Sequence, residues 1–325
     1  MSDDARWLAA AASLAARARP HSRPNPAVGA VIVSKGRVVG RGWTGSGGRP
    51  HAEAVALEAA GNAAQGATLY VTLEPCAHNS QRGPACADLV ASSGLARVVI
   101  GCEDPDPRTA GQGIARIRAA GIAAGMLPSA EARASLSGYL LKCHLGRPEV
   151  TLKLAMSLDG CIALRSGESQ WITGEAARAH GHAMRAKVDA IVVGGGTLRA
   201  DQPRLNVRLP GLEQRSPQRW VLTRGLAPEG WQALASPEAI SEMADVQYVL
   251  VEGGAGAAAA FLKAGLVDRL LVYRAPILIG GGLPCIGDFG LAALGAAHGQ
   301  WQMSDRRQLG SDTLEVYEHN LCSPE

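Results

Sequence analysis

Hydrophobic and polar positions follow two periods along this chain. Apolar residues at helical spacing predict an amphipathic helix over residues 3–18, and apolar runs predict strands over 27–34 and 37–43. A helix is expected to open at His51 and run to about residue 60. Beyond it the two periods alternate: strand 67–73, helix 86–93, strand 96–101, helix 113–120, a short strand near Ile122 and a helix over 130–142. Gly146-Arg147-Pro148 then joins a helix stop to a residue that cannot continue a helix, with a strand expected over 150–156. A domain boundary is placed there, giving residues 1–146 and 147–325. The second half reads as helix 175–187, strand 190–193, a Gly-rich turn, strands 220–223 and 247–251, and a second Gly-rich turn. It closes with helix 257–264, strand 269–273 and a hairpin over 300–319. Strands and helices in alternation indicate an α/β protein.

Composition narrows the class. A chain of 325 residues suits two domains of about 150 residues each. The 32 Lys and Arg against 29 Asp and Glu leave a formal charge of +3, too small and dispersed for a nucleic-acid or membrane-surface binder. No uncharged apolar stretch reaches the roughly 18 residues of a spanning helix. The apolar N-terminal run follows Asp3 and Asp4 rather than a basic segment, so it reads as a helix and not as a signal peptide. Cys76, Cys86, Cys102, Cys143, Cys161, Cys285 and Cys322 form no disulfide framework, which suits a reducing cytoplasm. A soluble, cytoplasmic protein with small-molecule substrates is expected.

Two constellations carry chemistry. His51-Ala52-Glu53 stands at a helix start, Glu74-Pro75-Cys76 at a strand end, and Cys86 opens the next helix. One imidazole and two thiolates suit a zinc ion that keeps its fourth position open. Cys86 at a helix N-terminus is expected to bind as thiolate. Glu53 can reach a water at that position without being a ligand, provided His51 sits before the helix proper, since i and i+2 do not face one another. The expected reaction is attack of water on an amidine-like ring carbon, with Glu53 carrying protons to the ring nitrogen and the departing ammonia. The spacing follows the zinc-deaminase pattern His-x-Glu with Pro-Cys and a second Cys, here ten residues after the first.

The segment His21-Ser22-Arg23-Pro24-Asn25-Pro26-Ala27-Val28-Gly29, His51-Ala52-Glu53, Val71-Thr72-Leu73-Glu74-Pro75-Cys76 and Asp104-Pro105-Asp106-Pro107 together resemble the deaminase half of the bifunctional riboflavin-biosynthesis deaminase/reductase family. The resemblance implies a cytidine-deaminase-like three-layer α/β/α domain, zinc on His51, Cys76 and Cys86, Glu53 as the catalytic proton carrier, and Asn25 against the pyrimidine. The chain departs from the family at Thr44, where a His is usual, and in the loop 77–85, which is longer and lacks Thr-Pro-Pro.

In the second half, Leu154-Ala155-Met156-Ser157-Leu158-Asp159-Gly160, Gly167-Glu168-Ser169-Gln170-Trp171-Ile172-Thr173, the spacing Gly194, Thr197, Asp201, Pro203, and Val251-Glu252-Gly253-Gly254 follow the order of the reductase half of the same family. A Gly-rich turn between strand and helix lets backbone N–H groups approach a phosphate, although Gly254 to Ala259 alone is a weak G-x-G-x-x-A match. The resemblance implies a dihydrofolate-reductase-like α/β domain that uses NADPH. It places Ala155, Trp171, Thr197, Asp201, Gly254, Ala255 and Gly256 at the cofactor, and Ser169, Arg185, Leu205, Arg208 and Glu252 at the substrate. Arg185 and Arg208 would clamp its phosphate, and Asp201 is the candidate for proton transfer. The implied reactions are deamination of 2,5-diamino-6-(5-phosphoribosylamino)pyrimidin-4(3H)-one and reduction of the resulting ribosylaminouracil to its ribityl form, in a homodimer or larger homo-oligomer. Three other readings stand beside this one. The second half binds without catalysing; or the chain is a nucleic-acid-editing deaminase, against its low charge; or it is a zinc-stabilised binding module in which Glu53 has no purpose.

Overall fold

The computed structural model describes residues 2–78 and 83–320, so Cys322 and residues 79–82 of the loop after Cys76 lie outside the described residues. The chain divides into two compact units between Gly146 and Arg147. No helix among the described residues is long and apolar enough to cross a membrane.

The first unit runs α1 (Asp3–Ala15), β1 (Gly29–Ser34), β2 (Arg37–Trp43), α2 (Ala52–Ala60), β3 (Thr68–Val71), α3 (Cys86–Ala91), β4 (Arg97–Ile100), α4 (Gln112–Ala119), β5 (Ala123–Met126) and α5 (Ala130–Leu145). Its sheet has the order β2-β1-β3-β4-β5, with β1 antiparallel to both neighbours and β3, β4 and β5 parallel. Strand alternation feeds two cores. Ala30, Ile32, Leu69, Val71, Val98 and Ile100 join the helices α2, α3 and α4, whereas Val31, Val33, Tyr70 and Val99 meet Leu8 and Ala11 of α1. With α5 packed beside α1, the unit has three layers. Two glycines decide how α2 is seated. A Cβ on Gly40 would lie 2.2 Å from the Ala56 carbonyl oxygen, and one on Gly42 would lie 2.2 Å from that of Ala52. Their bare backbones let α2 rest directly on β2, which brings its N-terminus down to the sheet.

The second unit runs β6 (Glu149–Met156), β7 (Cys161–Ala163), α6 (Glu175–Arg185), β8 (Ala190–Gly194), α7 (Gly195–Asp201), β9 (Gln218–Leu222), β10 (Gln232–Leu234), β11 (Tyr248–Val251), α8 (Ala255–Lys263), β12 (Arg269–Arg274), β13 (Leu283–Pro284), β14 (Trp301–Leu309) and β15 (Asp312–His319). Its eight-stranded sheet has the order β10-β9-β8-β11-β6-β12-β15-β14, parallel from β10 to β12 and antiparallel across β15 and β14. The central strands β8 and β11 are almost wholly buried, as expected for a parallel sheet covered on both faces. Phe261 and Ala258 of α8 pack on one face with Leu152 and Val192, and Ala177 of α6 packs on the other with Leu271 and Tyr273.

Two readings of the pattern need correction. Both Gly-rich turns are the opening turns of helices: α7 begins at Gly195 and α8 at Ala255, with Gly194 and Gly254 as caps. The first N–H groups of a helix have no intrahelical partner in any case, so glycine there costs little and keeps the backbone bare. The strands β7, β10 and β13 were not anticipated, because two or three residues are too few to display a period.

Candidate active sites

In the first unit, the seating of α2 decides the geometry. His51 caps the helix with extended backbone, φ −74° and ψ 160°, while Glu53 lies in its first turn. The imidazole and the carboxylate therefore escape the helical i, i+2 divergence. Cys76 arrives from the other side, after β3. The buried Glu74 beside it accepts N–H bonds from Gly111 and Ile114, at 3.0 and 3.1 Å, and so locks the Cys76 segment to the start of α4. Cys86 is the first residue of α3, and its N–H donates to Cys76 Sγ at 3.3 Å.

His51 Nδ1 lies 3.1 Å from Cys86 Sγ and 3.6 Å from Cys76 Sγ, and the three donor atoms fall within 4.8 Å of one another. A tetrahedron with zinc–sulfur and zinc–nitrogen bonds of ordinary length has edges of about 3.5 Å, so the donor set fits zinc. On the far side of the ring, Asn25 Nδ2 lies 3.2 Å from His51 Nε2 and donates to the Gly48 carbonyl at 3.1 Å.

Without a metal ion, the Cys76 thiol is drawn down to about 4 by the hydrogen bond from Cys86, with burial opposing and His51 assisting, whereas zinc binding makes both cysteines thiolates. Cys86, at the helix start, is pushed up by its bond to Cys76, by burial and by the negative charge of Glu53. The neighbouring anions outweigh the short helix. Burial pushes the Glu53 carboxyl up to about 6, while the His51 charge opposes.

His51, Glu53 and Cys76 line a cleft of about 270 Å³ with Pro24, Asn25, Thr44, Arg49, His78, Asp104, Asp106, Arg108 and Tyr139. Thr44 serves the loop before β1: its hydroxyl accepts from Val28 N–H and donates to the Pro26 carbonyl, both at 3.0 Å. Asp104 accepts from the Tyr139 hydroxyl at 2.8 Å and from Asp106 N–H at 3.0 Å, and burial raises its carboxyl.

In the second unit, the ends of β8 and β11 lie side by side, and Gly254 N–H donates to Thr197 Oγ1 at 3.0 Å. This bond joins the two Gly-rich segments predicted at the cofactor. Gly253 is required for close packing, because a Cβ there would stand 2.4 Å from that of Ala257. Ala255 and Gly256 open α8, where unpaired N–H groups suit a phosphate, so the segment fits a dinucleotide. Asp201 ends α7 and is exposed, Ala155 lies near the end of β6, and Trp171 is 63% exposed with the Arg178 guanidinium 4.8 Å from its ring.

The predicted substrate residues fall into a second cluster at the end of β11. Arg185 and Glu252, read separately from the sequence, grip each other bidentately at 2.7 and 2.9 Å. Arg185 also donates to the Asn206 carbonyl at 3.3 Å, next to buried Leu205. Lys153 Nζ stands 3.5 Å from Glu252. Burial drives the Glu252 carboxyl upward, but Lys153 and Arg185 overcome it and hold the group at about 2. Arg208 is exposed and reaches His182, Nε to Nε2 at 3.3 Å; burial, Arg185 and Arg208 all lower the His182 imidazole. Ser169 is half-buried in the loop before α6. Sequence reasoning missed Lys153 and His182. A lysine inside an otherwise buried parallel strand, and a histidine three residues before Arg185 on one helix face, were the available signals.

Comparison with known proteins gives one family for the whole chain. Residues 1–102 match the cytidine and deoxycytidylate deaminase zinc-binding region, and 148–240 and 231–314 match the RibD C-terminal domain. The riboflavin biosynthesis protein RibD of Aquifex aeolicus is 36% identical, covering 90% of this chain and 92% of its own. That of Escherichia coli is 38% identical, covering 85% and 89%. Among solved structures, Acinetobacter baumannii RibD superposes with a TM-score of 0.84 at 35% identity over 98% of this chain and 99% of its own. A diaminohydroxyphosphoribosylaminopyrimidine deaminase/5-amino-6-(5-phosphoribosylamino)uracil reductase from Thermotoga maritima gives 0.86 at 30% identity over 97% and 98%.

Proposed function

This chain belongs to the RibD family of riboflavin-biosynthesis proteins, and from that premise we propose that its two units act in turn on one phosphorylated pyrimidine. It is a bifunctional deaminase and reductase that uses zinc and NADPH. The substrates are those of the Thermotoga relative: the diaminopyrimidine ribosylamine phosphate for the first unit and the aminouracil ribosylamine phosphate for the second. The observation that carries the reading is the convergence of His51, Cys76 and Cys86 beside a buried Glu53 at a cleft.

Zinc held by His51, Cys76 and Cys86 supplies Lewis acidity that makes a water nucleophilic near neutral pH. Glu53 would take one proton from the attacking water and pass it to the ring nitrogen, then take the second from the hydroxyl formed at the attacked carbon and pass it to the amino group, which departs as ammonia. A carboxyl raised to about 6 is suited to both transfers. Asn25, whose amide lies beside the His51 ring, faces the pyrimidine. Bound in the second unit, NADPH would supply the hydride for reduction at the sugar C1′. Thr197, Gly254, Ala255 and Gly256 take its phosphates, with Ala155, Trp171 and Asp201 beside it. Ser169, Arg185, Leu205, Arg208 and Glu252 hold the substrate, Glu252 as a carboxylate kept ionised by Arg185 and Lys153, and Asp201 is the candidate for delivering the accompanying proton.

Purified zinc-loaded protein should release ammonia from the diaminopyrimidine and, given the aminouracil product and NADPH, should consume NADPH catalytically. Ammonia without NADPH oxidation makes the second unit a non-catalytic module. NADPH oxidation by zinc-loaded protein that releases no ammonia removes the deaminase assignment.

A further inference from the structure

We propose that Arg49 is the phosphate subsite of the deaminase cleft and takes the 5-phosphate of the ribosylamine; the proposal rests on the deaminase reading above. Among the described residues, the other charged side chains along that cleft are already committed. Glu74 is held by two backbone N–H groups, and Asp104 by Tyr139 and the Asp106 N–H. Arg108 is neutralised by Asp106 through contacts of 2.5 to 3.1 Å. Glu53 belongs with the metal ligands.

Arg49 differs. Its guanidinium lines the cleft and the residue is partly buried, yet its hydrogen bond is a long one, Nη1 to the Pro84 carbonyl at 3.5 Å. Among the described residues no carboxylate lies within ion-pair distance of it. A guanidinium carries five donors in a rigid fork, and withdrawing it from water without an anionic partner is unfavourable. The same fork matches phosphate oxygens bidentately. On the substrate, the pyrimidine and the pentose are neutral, and the phosphate is the anionic group. Among the described residues, Arg49 is thus a cleft cation with no anionic partner, and its charge is complementary to that of the substrate. Position agrees with this. Arg49 stands two residues before the ligand His51, and Gly83 faces the guanidinium with bare backbone, where a Cβ would lie 3.0 Å from Nη1.

The test compares zinc-loaded full-length wild type, Arg49→Gln and Arg49→Lys on the phosphorylated diaminopyrimidine and on its dephosphorylated counterpart, by ammonia release. Loss of a charge-assisted pair is expected to lower kcat/KM of Arg49→Gln on the phosphorylated substrate by roughly 10- to 100-fold, mainly through KM. On the dephosphorylated substrate the variant and the wild type should converge, and Arg49→Lys should recover part of the loss. Equal losses on both substrates, or no loss on either, would overturn the proposal. A second measurement needs no turnover. Calorimetric titration with ribose 5-phosphate should show a saturable component in the wild type that Arg49→Gln weakens several-fold, and superimposable isotherms would overturn the subsite even if neither protein deaminates anything.

Discussion

The two sites of this molecule are built to different tolerances. In the first unit, three donor atoms within 4.8 Å must satisfy one ion, and each is fixed by a separate backbone device: a helix cap for His51, the Glu74 lock for Cys76, a helix start for Cys86. In the second, the cluster around Glu252 is held by side-chain ion pairs, and the cofactor segment by bare backbone at two helix starts. A metal centre punishes small displacements, so it uses few residue types at narrow spacing. A dinucleotide and a flexible sugar phosphate are held by many weak contacts spread over a longer stretch, each replaceable. The comparison teaches where single substitutions should be decisive and where they should be graded.

The largest separation is expected in the first unit. Glu53→Gln should retain zinc and lose deamination by about a thousandfold, whereas Cys76→Ala should lose both metal and activity. Metal content together with ammonia release distinguishes the two, and NADPH oxidation should survive in each. Deamination by Glu53→Gln at the wild-type rate would break the proposed mechanism.

Next in size is Glu252. Its removal strands Arg185 and Lys153 in a half-buried setting, and Glu252→Ala should cost on the order of 3 kcal/mol of stability as well as reductase activity. Its pH dependence has a definite sign. The folded carboxyl is held at about 2 against an ordinary 4.5, so its contribution is complete above pH 4.5 and is lost as pH falls from there towards 2. Acid unfolding followed by tryptophan fluorescence should therefore show a step in the wild type that Glu252→Gln lacks. The smallest effect is expected at Thr197. Replacement by Val removes the acceptor for Gly254 N–H, a bond worth about 1 kcal/mol, and should raise KM for NADPH several-fold without touching ammonia release.

Much of the first site was legible because its chemistry restricts residue identity. His51, Glu53, Cys76 and Cys86 are each the type that a zinc-assisted proton transfer requires, and the extended backbone at His51 follows from the need to turn its ring towards Glu53. The approach of Asn25 to His51, the Glu74 lock and the Cys86 N–H bond to Cys76 Sγ were not legible. They join positions 26, 37 and 10 residues apart through a shared interior. In the second unit the motifs marked segments that the fold brings together at the ends of β8 and β11, but Lys153 looked like one more strand residue and His182 like one more helix residue.

From the residues alone came the order of strands and helices, the break near Gly146 and the chemical types at the metal site. All of these rest on local period, on turn residues or on the narrow donor preference of one ion. Tertiary structure decided which charges neutralise each other. Arg185 is tied to Glu252 and Arg108 to Asp106, while Arg49 is left facing its cleft without a carboxylate among the described residues. Pairing of this kind depends on distances of a few ångströms between segments far apart in the chain, and on the burial that makes those distances matter.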